Sequence, residues 1–165
     1  MKNLGYFDKS LVNNSTLACL LLTYFIKEYE KLTLGIDNPD LMKLLLVLPI
    51  VWHGESCKLV SSKKRNTGIK KVLTEYPLLT SGLDKRIKDF SPITIQGLNI
   101  ANAVGLIERK LNEENEILLI SKFERWPNNY SVKDAPLEMI HAIDRLVFWF
   151  KSYPTPVLYS MLLED

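Results

Sequence analysis

Apolar residues recur at helical spacing through most of the chain and at strand spacing in one short stretch. The first periodic run, Leu17, Leu21, Tyr24, Phe25 and Tyr29, follows Asn14-Ser15-Thr16, whose side chains can accept from the free amides at a helix start; Lys27, Glu28, Glu30 and Lys31 gather at its exposed end. Gly35 to Pro39 breaks the chain. Leu41 to Gly54, LMKLLLVLPIVWHG, is the densest apolar run and reads as a central buried helix. It is entered through Asn38 as N-cap and Pro39 at the first helical position, and it kinks or restarts at Pro49, which has no amide to donate. A membrane span needs ~20 apolar residues, more than this run holds. The stretch predicts a core, and no membrane partner is expected.

Gly54 to Ser62 reads as a loop. Ile69, Val72, Leu73 and Tyr76 then form an i, i+3, i+4, i+7 stripe that Pro77 stops. Thr80-Ser81 predicts the cap of a further segment with Leu83, Ile87 and Phe90 on one face. Ser91-Pro92 opens another, PITIQGLNIANAV, which ends at Gly105 as a left-handed cap. The period then shortens: GLIERKL and EILLIS predict a hairpin around Asn112-Glu113-Glu114-Asn115. FERWPNNYSVKD reads as a loop turning at Pro127-Asn128-Asn129. Asp134-Ala135-Pro136 starts a strong final helix with Ile140, Ile143, Val147 and Phe150 on its apolar face. Tyr153-Pro154-Thr155-Pro156 interrupts it, and Thr155 caps a short closing helix, VLYSMLLE.

Three short helices followed by a hairpin, from about 67 to 121, give the element order of a winged helix-turn-helix. The expected fold is therefore mainly α: a single domain over 1–165, in which a winged-helix-like unit at 67–121 is embedded in a helical body.

Composition changes little in this picture. With 47% hydrophobic and 24% charged residues among 165, the chain is long enough to bury a core and is not a disordered one. Cys19 and Cys57 do not make a disulfide framework, which fits a reducing compartment. Lys2 and Lys9 precede an apolar run, but Asp8 and the lack of a small-residue cleavage site argue against a signal peptide, so a cytoplasmic location is expected.

The net charge of +2 is uninformative; its distribution is not. In DNA-reading winged helices the last helix before the hairpin enters the major groove and needs cations nearby for the phosphates. From Ser91 to Leu106 there is no Lys or Arg, and the polar residues are Thr94, Gln96, Asn99 and Asn102; the hairpin tip carries Glu113, Glu114 and Glu116. A groove-facing surface without cations forgoes most counterion-release affinity, so this helix is expected to face protein. The basic residues lie elsewhere. Between Cys57 and Leu73 the chain carries Lys58, Lys63, Lys64, Arg65, Lys70 and Lys71 and no acid. Such a run is a solvated face, a contact for a nucleic-acid backbone, or a dock for an acidic partner.

Catalytic chemistry is not apparent. His53-x3-Cys57 and His141 fall short of the four ligands of a structural zinc site, no metal or other cofactor is expected, and GESC at 54–57 lacks a predicted helix start or, apart from His53, a fixed base to activate Cys57. Phe148, Trp149 and Phe150 are consecutive aromatics that one helix face cannot all bury. They are either covered by the Tyr153 to Leu163 tail or left as anchors for a partner, Phe148 and Trp149 first among them.

NNSTLACLLLTYFIKEY, LLLVLPIVWHG, SSKKRNTGIKKVLTEYPLL, FSPITIQGLNIANAVGLIERK and AIDRLVFWFKSYPTPVLYSML follow one another in an order that resembles the small middle component of bacterial three-component ABC ATPase systems. The strongest matches are Leu46-Val47-Leu48-Pro49 with His53, and Trp149-Phe150 followed by Thr155 and Pro156. Lamassu-type anti-phage systems contain a comparable small subunit. The resemblance implies a non-catalytic accessory subunit beside an SMC-like or Rad50-like ABC ATPase and a separate effector, often a nuclease. The alternative reading of the residues is a winged-helix DNA-binding regulator that uses the basic 58–71 segment, and contact with DNA inside the assembled complex is left open.

Overall fold

Helix α1 (Ser15–Leu32) begins where the Asn14 side chain accepts from the Leu17 amide at 2.9 Å, as its sequence predicts. The structure, a computed structural model, describes residues 14–128 and 130–163. Lys2, Asp8, Lys9, Asn129 and Glu164 of the readings above lie outside them.

The central apolar run forms two short helices, α2 (Leu41–Leu45) and α3 (Val47–Val51), which meet at Leu46. The break sits one turn before Pro49 because the missing amide and the proline ring act on the carbonyl four residues back, that of Leu45. The cap is Asp40 rather than Asn38: its Oδ1 accepts from the Lys43 amide at 2.8 Å.

Gly54–Ser62, expected as a loop, is helix α4. Its cap is the His53 ring, whose Nδ1 accepts from the Ser56 amide at 3.4 Å and lies 2.7 Å from Ser56 Oγ. Ser56, Cys57 and Val60 are buried against the final helix. Helix α5 (Ile69–Glu75) and a 3-10 turn at Pro77–Leu79 follow.

The segments expected to part at Ser91-Pro92 are one helix, α6 (Leu83–Ala103), of 21 residues. Proline there costs one backbone hydrogen bond. Phe90, Ile93, Thr94, Gly97, Leu98 and Ala101 nevertheless share a buried face, and packing that face along α1 outweighs the local loss. Helix α6 ends as predicted, with Gly105 at φ 77°, Leu106 N donating to Ala101 O at 2.9 Å and Gly105 N to Asn102 O at 3.1 Å.

Strands β1 (Ile107–Leu111) and β2 (Ile117–Ser121) form the expected antiparallel hairpin, in register from Ile107 opposite Ser121 to Leu111 opposite Ile117. Helix α7 (Leu137–Phe150) buries Ile140, Ile143, Val147 and Phe150, and α8 (Thr155–Leu163) closes the described chain. Thr155 is the first residue of α8 rather than its cap, and its hydroxyl donates to Asp40 Oδ2.

The fold is thus mainly α with one hairpin, and a winged-helix-like order survives with altered boundaries. The helices preceding the hairpin are α4, α5 and α6. One hydrophobic cluster runs from Ala18 to Leu162, with α1 packed along both α6 and α7 and α4 on α7. Arg86 ties the layers near α3: its guanidinium donates to Pro49 O at 2.8 Å, to Ser56 Oγ at 3.2 Å and to the carbonyls of Leu79 and Ser81 at 3.1 Å each. Among the described residues no single helix is long and apolar enough to cross a membrane.

Three tyrosines make the fold sensitive to alkali. Tyr24 donates to Asp144 Oδ1 and Tyr29 to Asp37 Oδ2, each at 2.7 Å. Burial first, then those carboxylates, pushes both phenols well above their ordinary range. Burial and the charge of Asp40 raise Tyr159 to about 12. A group whose folded pKa lies above its unfolded value contributes stability that is intact below the unfolded value and is lost as pH rises through the folded one. Lys43 acts in the opposite sense, since burial lowers its pKa and folding then releases a proton. With three tyrosines against one lysine, urea midpoints should hold up to about pH 10 and fall progressively above it. A flat midpoint through pH 11 would mean that these phenols are not held as the geometry indicates.

Candidate functional site

The basic segment runs from α4 through the loop at 63–68 into α5, and α7 fixes that loop by its backbone. Trp149 Nε1 donates to Thr67 O at 2.7 Å and Arg145 Nε donates to Lys63 O at 2.5 Å. Trp149 and Arg145 stand four residues apart, so they project from one face of α7, and each satisfies a loop carbonyl that has no strand or helix to join. Because the carbonyls point inward, the Lys64 and Arg65 side chains are displayed to solvent.

Lys58, Lys64, Arg65, Lys70 and Lys71 are exposed and Lys63 is half-buried. Lys63 Nζ lies 3.7 Å from the centre of the Tyr76 ring, and Lys70 Nζ lies 5.8 Å from that of Tyr153. Lys71 reaches Glu75 at 3.8 Å, an exposed pair of small energetic weight. The surface is therefore a held loop with aromatic rings beside two of its cations, a setting suited to polyanions or acidic side chains. Reading the sequence did not identify Arg145, Tyr76 or Tyr153 as parts of it; the four-residue interval from Arg145 to Trp149 was the one legible hint.

The four polar residues expected on the face of α6 do not act together. Thr94 is fully buried, on the same helical face as Phe90, Gly97, Leu98 and Ala101, so it is unavailable to a partner. Gln96, Asn99 and Asn102 are exposed, flanked by partly exposed Ile95 and Val104. Asn99 Oδ1 accepts from Arg109 of β1, which places a cation against the 91–103 part of α6, where the helix has none of its own. The hairpin does what the helix sequence did not suggest.

The aromatic triplet is resolved in favour of burial for two of its members. Phe150 is fully buried and Trp149 is 2% exposed, packed in the core while its indole N–H holds the loop, so Trp149 is no partner anchor. Phe148 is half-buried with Lys151 Nζ 5.4 Å from its ring centre, and remains at the surface.

Nucleophilic chemistry at Cys57 is disfavoured by its surroundings. Although the GESC stretch does begin a helix, the thiol is 3% exposed, and burial together with the charge of Glu138 pushes it up to about 12. Its thiolate fraction at neutral pH is negligible. No group of three or more His, Cys, Asp or Glu among the described residues is placed to hold a metal ion.

Comparison with known proteins gives one family. The family model described as ABC-three component (ABC-3C) system Middle Component 3 matches residues 8–163. No curated protein matches, and no solved structure matches.

Proposed function

The chain belongs to the ABC-three component (ABC-3C) system Middle Component 3 family, and from that membership we propose that it is a non-catalytic accessory subunit that binds an SMC-like or Rad50-like ABC ATPase. In this role it couples the ATPase to an effector, a nuclease, in anti-phage or anti-plasmid defence of the Lamassu kind. The observation that carries the reading is the family match across residues 8–163. The exposed surface at 95–104, the C-terminal end of α6, supports it: Gln96, Asn99 and Asn102 are uncharged, Ile95 and Val104 flank them, and such a mixed surface suits a polypeptide better than phosphate. In this reading α4 to β2 serves as a winged-helix-like unit turned toward protein.

Coupling requires that the subunit bind two states of the ATPase with different affinity, since a ligand indifferent to the two states shifts neither. The test is co-expression of the chain with the gene products encoded beside it, followed by size exclusion. Co-elution of the chain with an ATPase is the expected result. Separate elution of the chain from all of them overturns the proposal.

The held loop favours a second reading, in which the same subunit touches DNA within the complex through Lys58, Lys63, Lys64, Arg65, Lys70 and Lys71. Removing three of those cations in Lys63→Ala/Lys64→Ala/Arg65→Ala should flatten the salt dependence of DNA binding by the assembled complex, by roughly one unit of slope for each phosphate no longer neutralised. An unchanged slope would leave the protein-facing role alone.

A further inference from the structure

At the N-terminal end of α2 the hairpin turn and the start of α8 enclose a cleft of about 470 Å³, whose wall includes Asp40, Met42, Glu116, Ile117, Thr155 and Tyr159. We infer that this cleft docks a polypeptide segment of a partner protein that presents a lysine or arginine flanked by aliphatic side chains. The inference rests on the accessory-subunit reading only for the identity of the partner as another component of the same assembly.

Three observations converge on that chemistry. The first is shape and apolarity. The volume lies in the range of sites that hold a side chain or a small ligand. Met42 and Ile117 of the wall remain 48% and 37% exposed, and Leu111, paired across the hairpin with Ile117, is 69% exposed. These are large aliphatic residues left in water at one junction of elements.

The second is charge. Asp40 and Glu116 belong to the wall, and among the described residues no Lys or Arg lines it. Glu113 and Glu114 sit in the same hairpin turn. Asp37 and Asp40 belong to the stretch before α2 and Glu116 to the hairpin turn, and the charge of all three bears on Lys43, so carboxylates from two segments gather there. Lys43 offsets one of those three charges from beneath the rim: it is 6% exposed, with Nζ donating inward to Tyr29 Oη at 2.9 Å, and the rim stays acidic. An apolar floor beneath an acidic edge matches the two parts of a basic side chain, a hydrocarbon stem that is buried and a charged head that stays at the rim.

The third is rigidity. The wall is built before anything binds: Tyr159 Oη donates to Met42 O at 2.8 Å, Thr155 is bonded to Asp40, Leu119 N donates to Pro39 O at 3.0 Å, and Asp40 forms an isolated bridge with Leu118. A preorganised cleft spends little binding energy on ordering itself.

The test uses the full chain and a synthetic amphipathic helix-forming peptide of leucine and arginine, with its twin in which glutamate replaces each arginine. The expected result is saturable binding of the arginine peptide and none of its twin, with affinity falling roughly tenfold or more in Ile117→Lys, which sets a cation and a polar head in the cleft. Glu113→Lys/Glu114→Lys should weaken binding several-fold at low salt and less at high salt, as exposed charges do. Asp84→Lys, an exposed acid of α6 that does not line the cleft, should leave it unchanged. Equal binding to wild type and Ile117→Lys, or no binding of the arginine peptide at millimolar concentration, overturns the inference. So does self-association of the chain that is lost in Lys64→Glu/Arg65→Glu, because the occupant is then a second copy's basic loop. Co-elution with the ATPase is scored separately: if it persists in Ile117→Lys while the peptide fails to bind, the accessory role stands and the cleft assignment falls; if the wild-type chain elutes alone, the peptide still decides the cleft.

Discussion

Gly97→Leu should destabilise the protein by about 3 kcal/mol or more, enough to leave little folded material in a domain of ordinary stability. Gly97 lies on α6 where it crosses α1. A Cβ built there stands 2.9 Å from Ala18 Cβ, 3.0 Å from Ala18 C and 3.0 Å from Cys19 N. Two of those neighbours are backbone atoms, so no rotamer change relieves the clash and the helices must move apart. Their packing is the most extensive between helices in the fold, and both belong to the one core cluster, so the separation is transmitted. Gly97→Ala discriminates between explanations. Helix propensity alone predicts that alanine stabilises a helix interior by up to about 1 kcal/mol. The close approach predicts the opposite sign, a net loss of about 1 to 2 kcal/mol once overpacking is set against propensity. Urea denaturation of the alanine variant reads the sign directly, and a variant more stable than wild type would show that α1 and α6 do not meet as closely as the structure places them.

Trp149→Ala is the second large effect, with an expected loss of about 3 to 5 kcal/mol. The side chain is among the largest of the buried ones and also carries the hydrogen bond to Thr67 O. Removing it opens a cavity between α7 and its neighbours and leaves a loop carbonyl without its donor. Trp149→Phe separates these contributions. It keeps most of the burial and loses the bond, for a cost of about 1 to 3 kcal/mol including the smaller ring. The two variants also differ from an ordinary core deletion in a second readout. The loop that Trp149 and Arg145 hold contains Lys63, Lys64 and Arg65, all trypsin sites, so cleavage there under native conditions should accelerate in Trp149→Phe even at temperatures where the rest of the chain is folded. Cleavage no faster than in wild type would mean that the indole packs in the core without restraining the loop. If the basic surface binds DNA or an acidic partner, the same variant should weaken that binding without removing any charge, because a loosened loop must be ordered on contact.

The elements that the sequence determined are those whose signals act over a few residues. The Asn14 cap, the left-handed Gly105 that ends α6, the hairpin around Asn112–Asn115 and the apolar face of the final helix are each specified by a side chain and its near neighbours, and each forms as read. The family was legible too, because apolar segments in a fixed order survive as a pattern along the chain. The errors have a common cause. Helix α4 is polar enough to pass for a loop until its Ser56, Cys57 and Val60 find α7 to cover them. Pro92 looks like a helix start, yet one missing hydrogen bond is small beside the face that α6 lays along α1. Thr94, expected on a partner-facing surface, is enclosed in the core, and of the two alternatives for Trp149 burial is the one that holds, with the indole N–H spent on Thr67.

Which surfaces remain once the core has closed is set by the packing of the whole chain. That outcome depends on contacts between residues far apart in the chain, such as Arg145 with Lys63, Asp40 with Thr155 and Arg109 with Asn99. Local spacing fixes the periodicity of an element and the direction of its side chains. It cannot fix what those side chains meet, because burial energy is realised only when two distant faces come together.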